Sequence, residues 1–255
     1  MSINPEILSA NDPHIPPPRR HPETKSPPRK QRWFLHLSLF ALTFLSAMWS
    51  QIQALPGEDF FNLMSGPLTN PERLLEGLPF ATTLMAILLA HEMGHYLTAK
   101  RCGVDQSLPY FIPAPTIFGT LGAVILMRSQ PATRRDLLNV AVMGPYAGIV
   151  LAIPATAWGL AHSVPIEPEQ MQAGHLWFGS SIMFSWLEYF FSPNGTDIIL
   201  HPVAFAGWVG LFVTSLNLIP AAQLDGGHVA YSLFGRWQEL ISRIIVLTLI
   251  GVGFY

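Results

Sequence analysis

His91-Glu92-Met93-Gly94-His95 has the spacing H-E-x-x-H. On an α-helix, residues four apart share a face, so the two imidazoles can aim ring nitrogens at one ion. Glu92, beside them, can hold the water bound to that ion. This is the chemistry of metal-assisted hydrolysis. The setting strengthens the reading. Leu78 to Ala90 carry no charge, and ionisable groups at membrane depth are costly and usually mark a functional site. A five-residue pattern with two free positions also arises by chance.

A catalytic zinc takes three protein ligands and leaves one position for water. A metzincin would need Gly and His three and six residues past His95; Thr98 and Arg101 stand there. The inverted H-x-x-E-H pattern is absent. A thermolysin-like glutamate is poorly supported. No acid lies between Asp105 and Asp136, and Asp136 sits beside Arg134 and Arg135 at a helix start, where acids are ordinary. Asp225 remains, within Asn217-Leu-Ile-Pro220-Ala-Ala-Gln-Leu224-Asp225-Gly226-Gly227-His228. Pro220 removes a backbone donor and two glycines follow the acid. Irregular backbone at membrane depth is tolerated only when buried in protein or lining a watery cavity. Asp-Gly-Gly also reads as an ordinary surface turn. His228 is an alternative ligand, or simply a neighbour of the site.

These residues need helices in a membrane to position them. The chain has 255 residues, 50% hydrophobic and 12% charged, with mean hydropathy +0.34. A soluble domain carries about a quarter charged residues. Apolar segments run over roughly 34–55, 79–99, 137–160, 201–219 and 240 to the end. The composition therefore predicts a multi-pass α-helical membrane protein. Net charge is -2, which does not suggest nucleic acid. Cys102 is the one cysteine, so no intrachain disulfide and no cysteine cluster for zinc is available. It reads as a small filler at a helix end.

Residues 1–33 differ in kind, with eight prolines and six basic residues. Such a segment builds no core and is expected to be a disordered tail. It is followed by an uncleaved first membrane helix, because no small-residue cleavage site follows the apolar run. Lys and Arg then alternate between the loops: six in the tail, one (Arg73) in 56–78, five in 100–136, none in 161–200, and Arg236 and Arg243 later. The positive-inside rule places the N-terminus in the cytoplasm. His91 to His95 then lie roughly 8–14 Å below the cytoplasmic surface. The end of the fourth segment, with Asp225, lies on the same side.

His91–His95 on one membrane segment, followed by Asn217…Pro220…Leu224-Asp225-Gly226 on a later one, resembles the site-2 protease family of intramembrane zinc metalloproteases. Pro109-Tyr-Phe-Ile-Pro113 through Gly119-Thr-Leu-Gly-Ala123 is similar to its re-entrant β-segment. Met143-Gly-Pro-Tyr-Ala-Gly148 resembles the start of its third helix. His201-Pro202…Gly207-Trp208 is similar to the branch without a PDZ domain, found in bacteria and plastids. The resemblance covers about 80–235. Two features depart from it. Pro220-Ala221-Ala222-Gln223 has alanine where a second proline is usual. From Ile244 only 12 residues remain, too few to span a bilayer, so the C-terminus reads as truncated or the last element as half-buried.

The resemblance implies a bundle of about five or more transmembrane helices, with residues 34–255 as the protease domain, in a membrane such as the bacterial inner membrane. It implies one catalytic zinc on His91, His95 and Asp225, with Glu92 activating the water. The expected substrates are membrane-spanning proteins or peptides cut near the cytoplasmic side. Asn217 either donates to the oxyanion or substrate backbone, or ties helices together. Gly119 to Met127 is rich in β-formers and offers a substrate an edge, or plugs the cavity. Segment 175–191 reads as an interfacial or re-entrant helix. His14, His21, His36, His162, His175 and His201 do not share the depth of the site. Three other readings stand beside this one: a metal-binding scaffold without turnover, which an intact Glu92 disfavours; a metal transporter, which would spread its ligands along a path; and a metalloprotease with a glutamate third ligand.

Overall fold

The computed structural model describes residues 32–52, 66, 70–165, 179–192, 198–221 and 223–253. The Pro-rich tail up to residue 31, with His14 and His21, lies outside the described residues, as does His175. Helix α1 is Trp33–Trp49; a 3-10 turn, Pro71–Gly77, leads into α2, Leu78–Arg101. Strands β1 (Tyr110–Pro113) and β2 (Thr120–Val124) form a hairpin before α3, Arg134–Ala161. After α3 come β3 (Val164–Pro165), α4 (Ile182–Phe191), β4 (Ile198–Ile199), α5 (Pro202–Asn217), α6 (Asp225–Phe234) and α7 (Gln238–Gly253). The boundaries follow local chemistry. Pro79 and Pro202 sit in first turns, where a missing N–H costs nothing. The Thr133 hydroxyl caps α3 by accepting from the Asp136 N–H.

Helices α2 and α3, of 24 and 28 residues, are about 36 and 42 Å long. Both are long and apolar enough to cross a membrane. In their most apolar windows only 44% and 33% of residues are buried, respectively. A core helix of a soluble protein would be mostly buried; these turn Leu89, Val142, Val150 and Leu151 outward. Helices α1, α4 and α5 are apolar but shorter. On α4 one face, Ile182, Trp186, Tyr189 and Phe190, is exposed, while Phe184 is buried. Helix α7 has 16 residues and begins before the expected 240, with Arg243 inside it and 3.8 Å from Glu239.

Helices α2, α3 and α5 pack on one another, and α1 lies against α2 and the hairpin. The main core joins Ala47 and Met48 of α1, Phe80, Leu84, Met85 and Leu88 of α2, Phe111 of β1 and Val209 of α5. Small residues set the helix spacing, as is common where lipid supplies no hydrophobic drive between helices. A Cβ added at Gly159 would overlap the Ala204 backbone, and one at Gly207 would overlap Thr156.

The hairpin is antiparallel, pairing Tyr110 with Val124, Phe111 with Ala123 and Pro113 with Thr120, with an irregularity between Phe111 and Pro113. An isolated bridge joins Gln106 to Met127, so the chain enters and leaves at one end. The β-segment read from 109–123 is therefore present as a hairpin.

Gly207→Val should force α3 and α5 apart and cost about 1–3 kcal/mol, the usual range for overpacking. A lowered thermal unfolding midpoint in detergent is the expected result; an unchanged midpoint would show that the contact is slack.

Candidate metal and catalytic site

Helix α2 carries His91, Glu92 and His95 on its C-terminal half, and α3 runs back past them. The two helices touch backbone to backbone. A Cβ at Gly94 would fall on the Met143 carbonyl. A Cβ at Gly144 would fall on the His95 ring, and one at Gly148 would stand 3.2 Å from His91 Nδ1. Gly144 and Gly148, one turn apart, thus each seat one imidazole. With Gly144 lacking a side chain, His95 Nδ1 comes within 2.7 Å of the Val140 carbonyl oxygen. A carbonyl only accepts, so Nδ1 carries the hydrogen and Nε2 keeps its lone pair.

Asp225 arrives from the other side, as the first residue of α6. After α5 ends at Asn217, the chain turns tightly: the Ile219 N–H donates to the Leu216 carbonyl and the Leu224 N–H to the Ala221 carbonyl. Gly226 lies so close to the Leu218 carbonyl that a Cβ there would overlap it. The Asp-Gly-Gly segment is therefore packed into the protein; Gly226 and Gly227 are buried and Asp225 half-buried. A surface turn is ruled out.

His91 Nε2, His95 Nε2 and Asp225 Oδ2 form a triangle with all three sides 3.2 Å. A tetrahedral zinc site with arms of ~2.0 Å has edges of roughly 3.3 Å. Three lone-pair atoms at that spacing match one zinc ion, with the fourth corner open to the cavity. This triad is the metal-competent group among the described residues. His228, weighed as a ligand, lines the cavity without joining it.

The cavity has a volume of ≈ 320 Å3. Besides the triad, Glu92, Asn217, Gln106 and the 123–125 stretch at the end of β2 line it. Glu92 is 8% exposed, a carboxyl held off bulk water beside the triad. Asn217 Nδ2 lies 3.5 Å from His91 Nε2, at the edge of hydrogen-bonding reach. Gln106 is buried and donates to the Tyr96 carbonyl at 2.7 Å, tying the hairpin's root to the end of α2.

Sequence reasoning missed the Val140 carbonyl and the separate seats at Gly144 and Gly148; the glycine spacing was the available signal. It also passed over His36, which is buried against the hairpin. His162 and His201 lie together beside Trp158, away from the site. Cys102 packs beside Ala99, Val104 and Val140. Desolvation and the nearby Asp136 push its thiol pKa up, opposite to what a reactive thiolate needs.

Residues 79–254 match the family model described as Peptidase family M50. Among curated proteins, the chain is 32% identical over 234 residues to Probable zinc metalloprotease EGY2, chloroplastic, of Arabidopsis thaliana, covering 86% of this chain and 39% of that one. It is 30% identical over 265 residues to the protein of the same name from Oryza sativa subsp. japonica, covering 99% and 45%. Probable zinc metalloprotease EGY1, chloroplastic, of the same rice is 30% identical over 255 residues, covering 92% and 44%. The chain thus spans less than half the length of these relatives. Their chloroplastic names give no support to the bacterial inner membrane. No solved structure matches.

Gly144→Ala should displace the His95 ring and weaken zinc affinity about 10–100-fold, the usual cost of disturbing a ligand's support. Competition with a calibrated chelator measures this. Gly251→Ala, where an added Cβ meets nothing within 4 Å, is the control. Equal affinity in both variants would show that Gly144 does not seat the ligand.

Proposed function

The chain belongs to peptidase family M50, the site-2 protease family, and we propose that it is a zinc endopeptidase that hydrolyses peptide bonds of membrane-spanning substrates near the cytoplasmic side of the bilayer. One observation carries this reading: the equilateral triangle of His91, His95 and Asp225, with buried Glu92 beside it on the same cavity. Lys100 and Arg101 end α2, Arg134 and Arg135 begin α3, and Arg128 lies between them in the chain, which supports a cytoplasmic placement of this connection. The proposed arrangement is polytopic, with α1, α5 and α7 joining the two long helices α2 and α3 in the membrane and the N-terminus in the cytoplasm.

His91, His95 and Asp225 would hold the zinc. The chemistry zinc supplies when bound there is a positive charge that polarises the scissile carbonyl and makes water a nucleophile near neutral pH. The remaining work belongs to the chain's own residues. Glu92 accepts a proton from the attacking water as its oxygen bonds to the carbonyl carbon. Glu92 then delivers that proton to the amide nitrogen as the C–N bond breaks, leaving a carboxylic acid and an amine. Asn217, whose Nδ2 faces His91, is placed to donate to the carbonyl oxygen as negative charge develops on it.

A helical substrate hides its carbonyls in its own hydrogen bonds, so the cleaved stretch must be extended. Strand β2 pairs with β1 on one side only among the described residues, and its end lines the cavity. Its free edge suits an added substrate strand. Leu121 is 70% exposed and Val124 46% exposed, apolar contacts for such a strand.

The test is cleavage of a single-span model substrate in liposomes, with wild type beside Glu92→Gln and bound zinc quantified in both. Glu92→Gln should keep its zinc and lose about 100-fold or more in rate, the range for a general base. Equal zinc with no cleavage by wild type of any membrane segment would leave a metal-binding scaffold as the function.

A further inference from the structure

Helix α1 precedes the residues matched by the family, and it carries a buried histidine that the hydrolysis does not use. His36 is 6% exposed. Its Nδ1 is 3.1 Å from the Pro109 carbonyl oxygen, and its ring lies 4.3 Å from that of Tyr110. Its Nε2 is buried with no partner. The carbonyl can only accept, so Nδ1 donates and Nε2 is left as an unsatisfied acceptor. A buried unpaired acceptor is destabilising. An apolar residue would avoid that cost, so the bond made by Nδ1 is what distinguishes histidine at this position.

The same helix meets the hairpin twice more through polar side chains. Ser46 Oγ donates to the Ala114 carbonyl at 3.3 Å. Gln51 Nε2, just past the helix, donates to the Ile117 carbonyl at 3.1 Å. Gly119, at φ +72°, presses on Ala47 so closely that a Cβ would overlap its backbone. Phe40 meets Phe111 edge-on at 5.0 Å. From His36 to Trp49 is thirteen residues, about 20 Å of helix, with Gln51 just beyond its end. Along that length three donors of α1 and its end grip backbone carbonyls in order: before β1, after β1 and in the turn. Two flank β1, the third holds the turn, and none belongs to β2 itself. Strand β2 keeps its outer edge.

We propose that α1 is a positioning strut for substrate: His36, Ser46 and Gln51 fasten the two ends of β1 and the turn of the hairpin, so that β2 is the edge open to an incoming strand and is held at a fixed depth beside Glu92. This rests on the protease reading. The three are positioning residues, since none touches the metal ligands. A hairpin free to slide along α1 would offer its edge at the productive depth only part of the time, and apparent substrate binding weakens by that fraction.

The experiment uses the full chain in liposomes. The probe is a single-span Leu/Ala peptide interrupted by Gly-Gly. The variants are His36→Ala, His36→Asn, which keeps a donor near the Nδ1 position, and the combination of His36→Ala, Ser46→Ala and Gln51→Ala. The combined variant should raise KM about tenfold, with kcat within about threefold and zinc content unchanged. His36→Asn should recover most of what His36→Ala loses. Amide hydrogen exchange over 107–126 should quicken in the combined variant, while α2 and α3 stay protected. Unchanged KM with unchanged hairpin exchange overturns the strut, as does a loss confined to zinc content. If wild type cleaves nothing, the protease reading fails, and exchange alone decides the strut: faster hairpin exchange supports it and unchanged exchange refutes it. If the combined variant does not insert, the His36→Ala and His36→Asn pair carries the same comparison.

Discussion

The site depends on a contact that contains almost no side chain. Helices α2 and α3 meet where Gly94 abuts the Met143 carbonyl and Gly144 abuts His95. This close approach fixes where the two imidazoles can go. In an apolar bundle without strong hydrophobic drive between helices, small residues are what let backbones come together. A methyl group at either glycine would separate the helices or swing a ring. The Val140 carbonyl then sets the tautomer of His95 through the space that Gly144 leaves.

Charge follows the same economy of placement. His91 and Glu92 are buried, and Asp225 is half-buried, among apolar helices. Carboxylates taken from water need compensation. Two carboxyl groups, Asp225 and Glu92, face one cavity, and a divalent cation there would supply the compensating charge. The donor set and the charge of the surroundings thus agree on the same kind of ion.

Much of this was legible in the sequence. The H-E-x-x-H spacing and the apolar segments are local patterns, and the observed helices fall within a few residues of them. Asp225 was reached by excluding other third ligands and by the side on which the fourth segment ends. The turn after α5 brings the Asp225 carboxylate within 3.2 Å of both imidazoles, with Gly226 packed on the Leu218 carbonyl. Less visible was anything that depends on which residue faces which neighbour. Gly144 and Gly148 are a spacing in sequence, but their role as seats exists only once α3 runs antiparallel to α2. His36 carries no local signal at all: its partner is the carbonyl of Pro109, 73 residues away. The first apolar run also reads longer than helix α1 proves to be, because hydropathy does not mark where a helix stops.

The proposed ligands His95 and Asp225 are 130 residues apart in the chain. Bringing such distant points together costs loop entropy, which the intervening helices must already have met by packing. Until α6 docks, the protein has two imidazoles and no third arm. The proposed centre is therefore incomplete in any partly packed state in which α6 has not yet docked. Metal competence at this site is thus a property of the packed tertiary structure and not of the H-E-x-x-H helix alone.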